Sequence, residues 1–330
     1  MNLLVLGGTV FLGRHLVETA ISRGHQVTLF NRGRSNPRLF PDAERVAGER
    51  DGGLEPLRGR RWDVAVDTSG FVPRVVRQSV ELLSGSVDGY TFISTGSVYP
   101  LLSADKSEEG PVVRLEDPSS EDVGRDYGGL KALCEEVVTD VYGPKALVVR
   151  SGLIVGPHDP TGRFTYWVTR MPRGGEVLAP GAPDREVQFI DARDQVDWIL
   201  DMAEAARGGT YNVTGPARPL TLAELLGRCG DAPLTWVGDD FLEQERVGPY
   251  MEMPLWVPAS AGELHMPIDR ALAAGLRHRD LDATIRDTRA WAENAPEPVA
   301  VDAGGRVRRP SQLAPDRERE LLRRWHDRIG

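Results

Sequence analysis

Two rhythms of apolar residues alternate along the first 150 positions. Short runs at Asn2–Leu6, Gln26–Phe30, Asp63–Asp67, Tyr90–Thr95 and Ala146–Arg150 have the length and β-branched content of buried strands. Between them the spacing turns helical. In Phe11–Ser22, residues Phe11, Leu12, His15, Leu16, Thr19 and Ala20 share one face, and Val72–Leu83 and a stretch near 124–141 read as further helices. Strands alternating with helices of this length predict an α/β fold: a doubly wound parallel sheet of Rossmann type with helices on both faces.

Beyond residue 155 the texture changes. Glycine and proline crowd the segment 156–185, which predicts irregular structure draped over a scaffold. Order returns with a strand at 187–190 (VQFI), an apolar helix at 196–206 and a strand at Thr210–Val213. Thr221 then N-caps a helix to Cys229. The organisation expected is a nucleotide-binding domain over 1–155 that takes back 186–214. A smaller C-terminal α/β substrate domain spans 156–185 and 215–295. A linker and a C-terminal helix follow over 296–330, the linker at Asn294–Pro310 and the helix at Asp316–Arg328 with a Leu321/Leu322/Trp325 seam.

Composition narrows the function. The formal net charge of −9 over 330 residues argues against a nucleic-acid binder, which needs cations against phosphate. Cys134 and Cys229 cannot form a disulfide framework, and no Cys/His group has metal-ligand spacing, so no metal is expected. No apolar run is long enough to span a bilayer, and no basic segment precedes the first strand. The expected location is the cytoplasm.

The chemistry begins at Leu6-Gly7-Gly8-Thr9-Val10-Phe11-Leu12-Gly13, which joins the first strand to the first helix. Glycines let backbone N–H groups approach a pyrophosphate, and the helix N-terminus adds partial positive charge. Gly7 and Gly13 match the outer glycines of G-x-x-G-x-x-G, with Val10 at the middle one. The second strand ends in Asn31-Arg32 rather than the carboxylate that bonds a ribose 2′-hydroxyl in NAD-selective sites. A guanidinium grips a 2′-phosphate that a carboxylate would repel, so NADP is preferred over NAD.

Tyr127 and Lys131 stand four residues apart at the head of a helix, on one face. An ammonium near a phenol favours the phenolate and fits the phenol for acid/base work. The strand Phe92–Thr95 ends in hydroxyls: Thr95 is the first candidate to orient a substrate oxygen, Ser94 the second and Ser97 the third.

GGTVFLG (7–13), FISTGSVYP (92–100), YGGLK (127–131), VRSGLIVGPHDP (149–160), REVQFIDARD (185–194) and YNVTGP (211–216) together resemble the extended and atypical short-chain dehydrogenase/reductases, the NAD-dependent epimerase/dehydratase family. Residues 256–293 resemble its isoflavone-reductase-like bacterial members. The resemblance implies Thr95, Tyr127 and Lys131 as the catalytic set. Gly7, Thr9, Val10, Phe11 and Gly13 would form the cofactor turn, and Asn31 and Arg32 the adenosine-ribose contact. Asp67, Thr68, Ser69, Ser94, Ser151 and Leu153 would lie along the cofactor, with Tyr127 and Lys131 at the nicotinamide ribose. Ser97, His158, Arg163 and Arg185 would face substrate. It also implies a homodimer contact through the helices at 72–83 and 124–141, with a monomer as the alternative.

Dehydratases of this family carry an Asp-Glu pair after the Thr, where this chain has Gly96 and Ser97, which argues against elimination chemistry. The function expected is reversible carbonyl/alcohol redox on a small molecule. A nucleotide-sugar epimerase stands second, and a catalytically silent nucleotide- or RNA-binding protein third.

Overall fold

The computed structural model describes residues 1–262, 265–295, 300–301, 307–308 and 311–330; the linker expected over Asn294–Pro310 falls mostly outside them. Contacts divide the chain into two compact units.

The first unit comprises Met1–Ile154, Ala192–Thr214 and Met266–Arg277. Its strands are β1 (Asn2–Leu6), β2 (Gln26–Asn31), β3 (Glu44–Ala47), β4 (Trp62–Asp67), β5 (Val87–Thr95) and β6 (Ala146–Ser151). With Gly209–Val213 they form one seven-stranded sheet. The order is Gly209–Val213, β6, β5, β4, β1, β2, β3, and every pairing is parallel. Leu3, Leu4, Val5 and Leu6 are fully buried, as an unbroken apolar run between two helical layers must be. The helices are α1 (Phe11–Ser22), α2 (Pro73–Leu83) and α3 (Val123–Tyr142). Val76, Val80 and Leu83 of α2 and Cys134, Val137 and Val138 of α3 share a core cluster with Phe92 and Tyr90. The helix Ala192–Glu204 packs beside α1. There Arg23 reaches Asp197, Asp201 and Glu204 at 2.8, 2.7 and 3.3 Å.

Strand β3 has no signature in the sequence because Val46 is its one buried residue. The segment Val187–Ile190 departs from its expected strand. Only Ile190–Asp191 is extended in a ladder; the Val187 and Phe189 amides instead donate to the Leu220 and Gly215 carbonyl oxygens of an irregular stretch.

Strand order reverses between β1 and β4, and there the chain ends of both strands meet. The Thr68 amide and hydroxyl and the Ser69 hydroxyl all donate to the Leu6 carbonyl oxygen, at 3.1, 3.0 and 3.1 Å. Parallel sheets open a crevice at this reversal, beyond the carboxyl ends of the strands. Beneath it lies a buried ion pair. Arg50, in the loop after β3, grips both oxygens of fully buried Asp67. The Tyr90 hydroxyl donates to the same carboxylate at 2.9 Å. Arg50 also donates to Ser79 at 2.7 Å, which ties β4, β5 and α2 together.

The second unit comprises Val155–Asp191, Gly215–His265 and His278–Gly330. It holds a two-stranded parallel ladder of Val177–Pro180 with Leu234–Val237. Its helices include Thr165–Arg170, Leu222–Cys229, Leu281–Asn294 and Pro315–Ile329, the last packed on Val177–Pro180. Thr221 and Glu224 form a reciprocal capping box at the start of Leu222–Cys229. The C-terminal helix is fixed by buried Glu318, which accepts from Arg170 at 2.8 Å and from the Leu178 amide at 3.2 Å.

Removing one charge of a buried pair strands the other. Asp67→Asn is expected to lower the unfolding free energy by about 3–5 kcal/mol in urea titrations, because Arg50 keeps its charge in the core.

Candidate functional site

The turn after β1 is built for close approach. Gly7 and Gly8 take φ of +110° and +89°, in the region that disfavours a Cβ. A side chain on Gly7 would overlap the Thr68 hydroxyl, and one on Gly8 would come within 2.6 Å of Leu29. A Cβ on Gly13 would lie 2.9 Å from the Gly8 backbone. Phe11 itself sits at φ +37°. Helix α1 then starts with Val10 at its N-cap, which makes no side-chain capping bond, and its first turn carries no acid. The free N–H groups and the helix dipole are left to an anion. Val10, 49% exposed, presents an apolar side chain at the same edge. Buried Thr9 is held through its carbonyl by Asn36 Nδ2 at 2.8 Å.

Asn31 is occupied at both ends of its amide. Its Nδ2 donates to the Gly7 carbonyl at 2.8 Å and its Oδ1 accepts from the Gly33 amide at 2.9 Å. It braces the glycine turn, a role its position alone did not reveal. Arg32 is exposed and has no hydrogen bond or ion pair among the described residues, whereas Arg34 is matched by Glu49 at 3.1 Å.

Two of the residues expected along a cofactor are turned inward. Asp67 gives both carboxylate oxygens to Arg50; burial pushes its pKa up, and Arg50 more than reverses that, leaving it below the usual range. Ser94 donates to buried Glu135. The side chains of Asp67 and Ser94 are thus committed within the protein, because residues alternate between the two faces of a strand and these two face the helical layer. Ser151 likewise accepts from Gln195 Nε2 at 2.7 Å, and Leu153 is buried. Thr68 and Ser69 remain at the crevice.

Helix α3 meets the end of β5 almost backbone to backbone. A Cβ on Gly128 would overlap the Ser97 carbonyl oxygen, and one on Gly129 would overlap Leu115. The helix kinks at Asp126 (φ −108°, ψ 20°), immediately before Tyr127. Asp122 caps the turn ahead of the kink by accepting from the Gly124 and Arg125 amides. Tyr127 is half-buried with its ring 6.5 Å from that of Phe71. Thr95 Oγ1 accepts from the Ser97 amide at 3.1 Å and donates to Ser97 Oγ at 3.2 Å, which opens a short 3-10 turn at the strand end.

Lys131 is 3% exposed. Its ammonium donates to the Gly70 and Ile93 carbonyl oxygens at 2.7 and 2.6 Å and lies over the Phe92 ring at 4.0 Å. Two of its three donors are therefore spent, and one remains. Burial pushes its pKa down to about 8.

Of the four residues expected to face substrate, Ser97 lies in the first unit and His158, Arg163 and Arg185 in the second. His158 adopts φ +70° with its ring edge-on to Trp291 at 5.5 Å. Arg163 donates to Thr161 at 3.1 Å, and Arg185 donates to the Val257 carbonyl. Tyr250 lies in the same unit. Burial pushes its phenol up, and the guanidinium groups of Arg163 and Arg185 draw it partly back. Nothing in the sequence marked Tyr250; its left-handed backbone (φ +57°) in a proline-rich loop is the one signal it carries.

Residues 74–214 match the model of the NAD dependent epimerase/dehydratase family. Over that stretch the chain is similar to members of that family. The epimerase family protein SDR39U1 of Bos taurus is 26% identical over 325 residues, covering 87% of this chain and 99% of that one. The chloroplast stem-loop binding protein of 41 kDa b of Arabidopsis thaliana is 26% identical over 240 residues; the match takes in 65% of this chain and spans 58% of that relative's length. Among solved structures, the UDP-glucuronic acid 4-epimerase of Bacillus cereus in complex with NAD superposes with a TM-score of 0.64 over 89% of this chain and 99% of that one, at 16% identity. The shared feature there is the epimerase/dehydratase fold. Among the described residues no helix is long and apolar enough to cross a membrane.

The turn fits a dinucleotide on its geometry: a cradle closed to any Cβ, an uncapped helix N-terminus and an unpaired guanidinium at the end of β2. Lys131 supplies a pH-dependent check. A lysine protonated to about pH 10.5 when unfolded and only to about pH 8 when folded is destabilising below pH 8, and that cost is relieved as pH rises. The wild type is therefore expected to gain stability relative to Lys131→Met between pH 8 and 10.5, by up to about 3 kcal/mol, in parallel denaturant titrations.

Proposed function

We propose that the chain binds a nicotinamide dinucleotide at the Gly7–Gly13 turn and performs reversible hydride transfer at a carbonyl or alcohol carbon of a small molecule. One observation carries the reading: Gly128 against the Ser97 carbonyl and Lys131 on the Ile93 carbonyl seat the Tyr127 helix on the hydroxyl-bearing end of β5, one strand from the crevice. A bound nicotinamide would supply or accept the hydride. Tyr127 gives a proton to the substrate oxygen on reduction and takes it back on oxidation. Thr95 Oγ1 orients that oxygen, and the Lys131 charge, four residues along α3, supports the phenolate in the reverse direction. The third ammonium hydrogen of Lys131 is the one left for a ribose hydroxyl.

NADP(H) is the preferred cofactor. Arg32 has no partner among the described residues, and exposed Arg38 on the same loop has none either. Asn36 and Asn31 pin that loop to the carbonyls of Thr9 and Gly7. A 2′-phosphate would meet two uncompensated guanidinium groups there.

A nucleotide-sugar epimerase is the second reading, favoured by the fold shared with the Bacillus cereus UDP-glucuronic acid 4-epimerase over 89% of this chain. It uses the same oxidation and then returns the hydride to the opposite face, with no net redox change.

Calorimetric titration of the nucleotide-free protein with NADPH and NADH separates these readings. NADPH is expected to bind at micromolar Kd. Arg32→Ala should weaken NADPH by about tenfold or more, the worth of a charge-assisted hydrogen bond, and leave NADH unchanged. Tyr127→Phe should keep the nucleotide and lose turnover. Nucleotide that leaves only on denaturation would favour the epimerase, and failure of both nucleotides to bind would overturn the proposal.

A further inference from the structure

We propose that the buried Glu135–Arg150 ion pair is a positioning device that holds the segment Thr95–Ser97 against the Tyr127 helix. The inference rests on the reading of Thr95 and Tyr127 above and assigns a role to side chains which that reading leaves unused.

Glu135 lies one helical turn beyond Lys131 and two beyond Tyr127, so the three share a face of α3. Arg150 stands on β6 directly across from Ser94 of β5. Arg150 Nη2 and Nε hold the Glu135 carboxylate at 2.8 and 3.1 Å. Both ends of the catalytic segment are fastened to this pair. On one side Ser94 Oγ donates to Glu135. On the other, Arg150 Nη1 donates to the Tyr99 hydroxyl at 2.8 Å, with the guanidinium carbon 5.0 Å from the Tyr99 ring centre. The Tyr99 hydroxyl passes its own proton to Asn212 Oδ1 at 2.7 Å. Asn212 Nδ2 in turn closes on the Lys106 and Pro267 carbonyl oxygens at 2.8 and 3.0 Å. Ser94, Tyr99, Glu135, Arg150 and Asn212 are all 7% exposed or less.

Residues 95–98 therefore form a short span tied down at 94 and at 99, and both ties end on one ion pair rooted in α3 and β6. Buried ion pairs are a poor source of stability compared with packed apolar groups of the same volume. They do impose direction, because each hydrogen bond to a charged group works only in a narrow geometry. That property suits a site in which the Thr95 hydroxyl and the Tyr127 phenol must reach one substrate oxygen from two different elements.

The test uses the full chain and removes one tie at a time. Ser94→Ala and Tyr99→Phe each delete a hydroxyl and leave both charges paired, and the double variant deletes both ties. Hydrogen–deuterium exchange read by mass spectrometry is expected to quicken across 94–99 by about tenfold in each single variant, the worth of one hydrogen bond. In the double variant it should quicken by more than the product of the two, because the ties share one pair. Exchange across residues 2–13 and the NADPH Kd should stay within about twofold, since neither touches the pair. With tyrosine labelled at 13Cζ, the Tyr127 resonance, identified by its loss in Tyr127→Phe, should shift in the same variants. Exchange that stays unchanged in 94–99, or rises evenly through the first unit, would overturn the proposal. Failure of the wild type to bind NADPH or NADH would instead sink the dinucleotide reading, and the exchange pattern would still decide the positioning role.

Discussion

The site depends on how closely α3 can lie on the end of β5. A helix ordinarily keeps its neighbours at side-chain distance; here Gly128 lets its backbone meet the carbonyl of Ser97. That approach sets where Tyr127 stands relative to Thr95, and it lets Lys131 reach past the strand edge to the Gly70 and Ile93 carbonyls. The helix is capped at Asp122 and kinks at Asp126, immediately before Tyr127. A Cβ at 128 would overlap the Ser97 carbonyl oxygen, so the helix or the turn after β5 would have to shift.

Charge buried beneath the crevice does structural duty on both sides of it. Arg50 and Asp67 join the strands at the reversal point, and Glu135 and Arg150 join α3 to β6. Neither pair is free to meet a ligand. Both stand within a few residues of positions that a family resemblance assigns to the cofactor; of the two inward-facing side chains, Asp67 is a member of the first pair and Ser94 donates to Glu135 of the second. Proximity in sequence to a ligand-facing residue says little about a side chain in a strand, since neighbours point to opposite faces.

At the glycine turn, polar side chains shape the backbone and leave the charge to others. Asn31 and Asn36 hold the loop after β2 onto the turn, and this frees Arg32. Glu49 removes Arg34 from consideration by pairing with it. The proposed preference for a phosphorylated ribose rests on the guanidinium groups left unpaired there.

The sequence by itself determined the alternation of strands and helices in the first unit, the glycine turn and the Tyr127–Lys131 spacing. These are written in local periodicity and in residue types with few alternatives. Helix α1 begins and ends at the residues its apolar spacing predicted, because burial on one face is a local pattern. Strand β3 and the irregular stretch at Val187–Phe189 were not legible. One buries too little to leave a period, and the other takes its hydrogen bonds from a segment some thirty residues away. The tertiary structure alone decided that Met266–Arg277 joins the first unit and that Asp67 and Ser94 face inward. It alone showed that Asn31 braces the turn. Each of these depends on which distant side chain arrives opposite, and that is fixed only when the chain is packed.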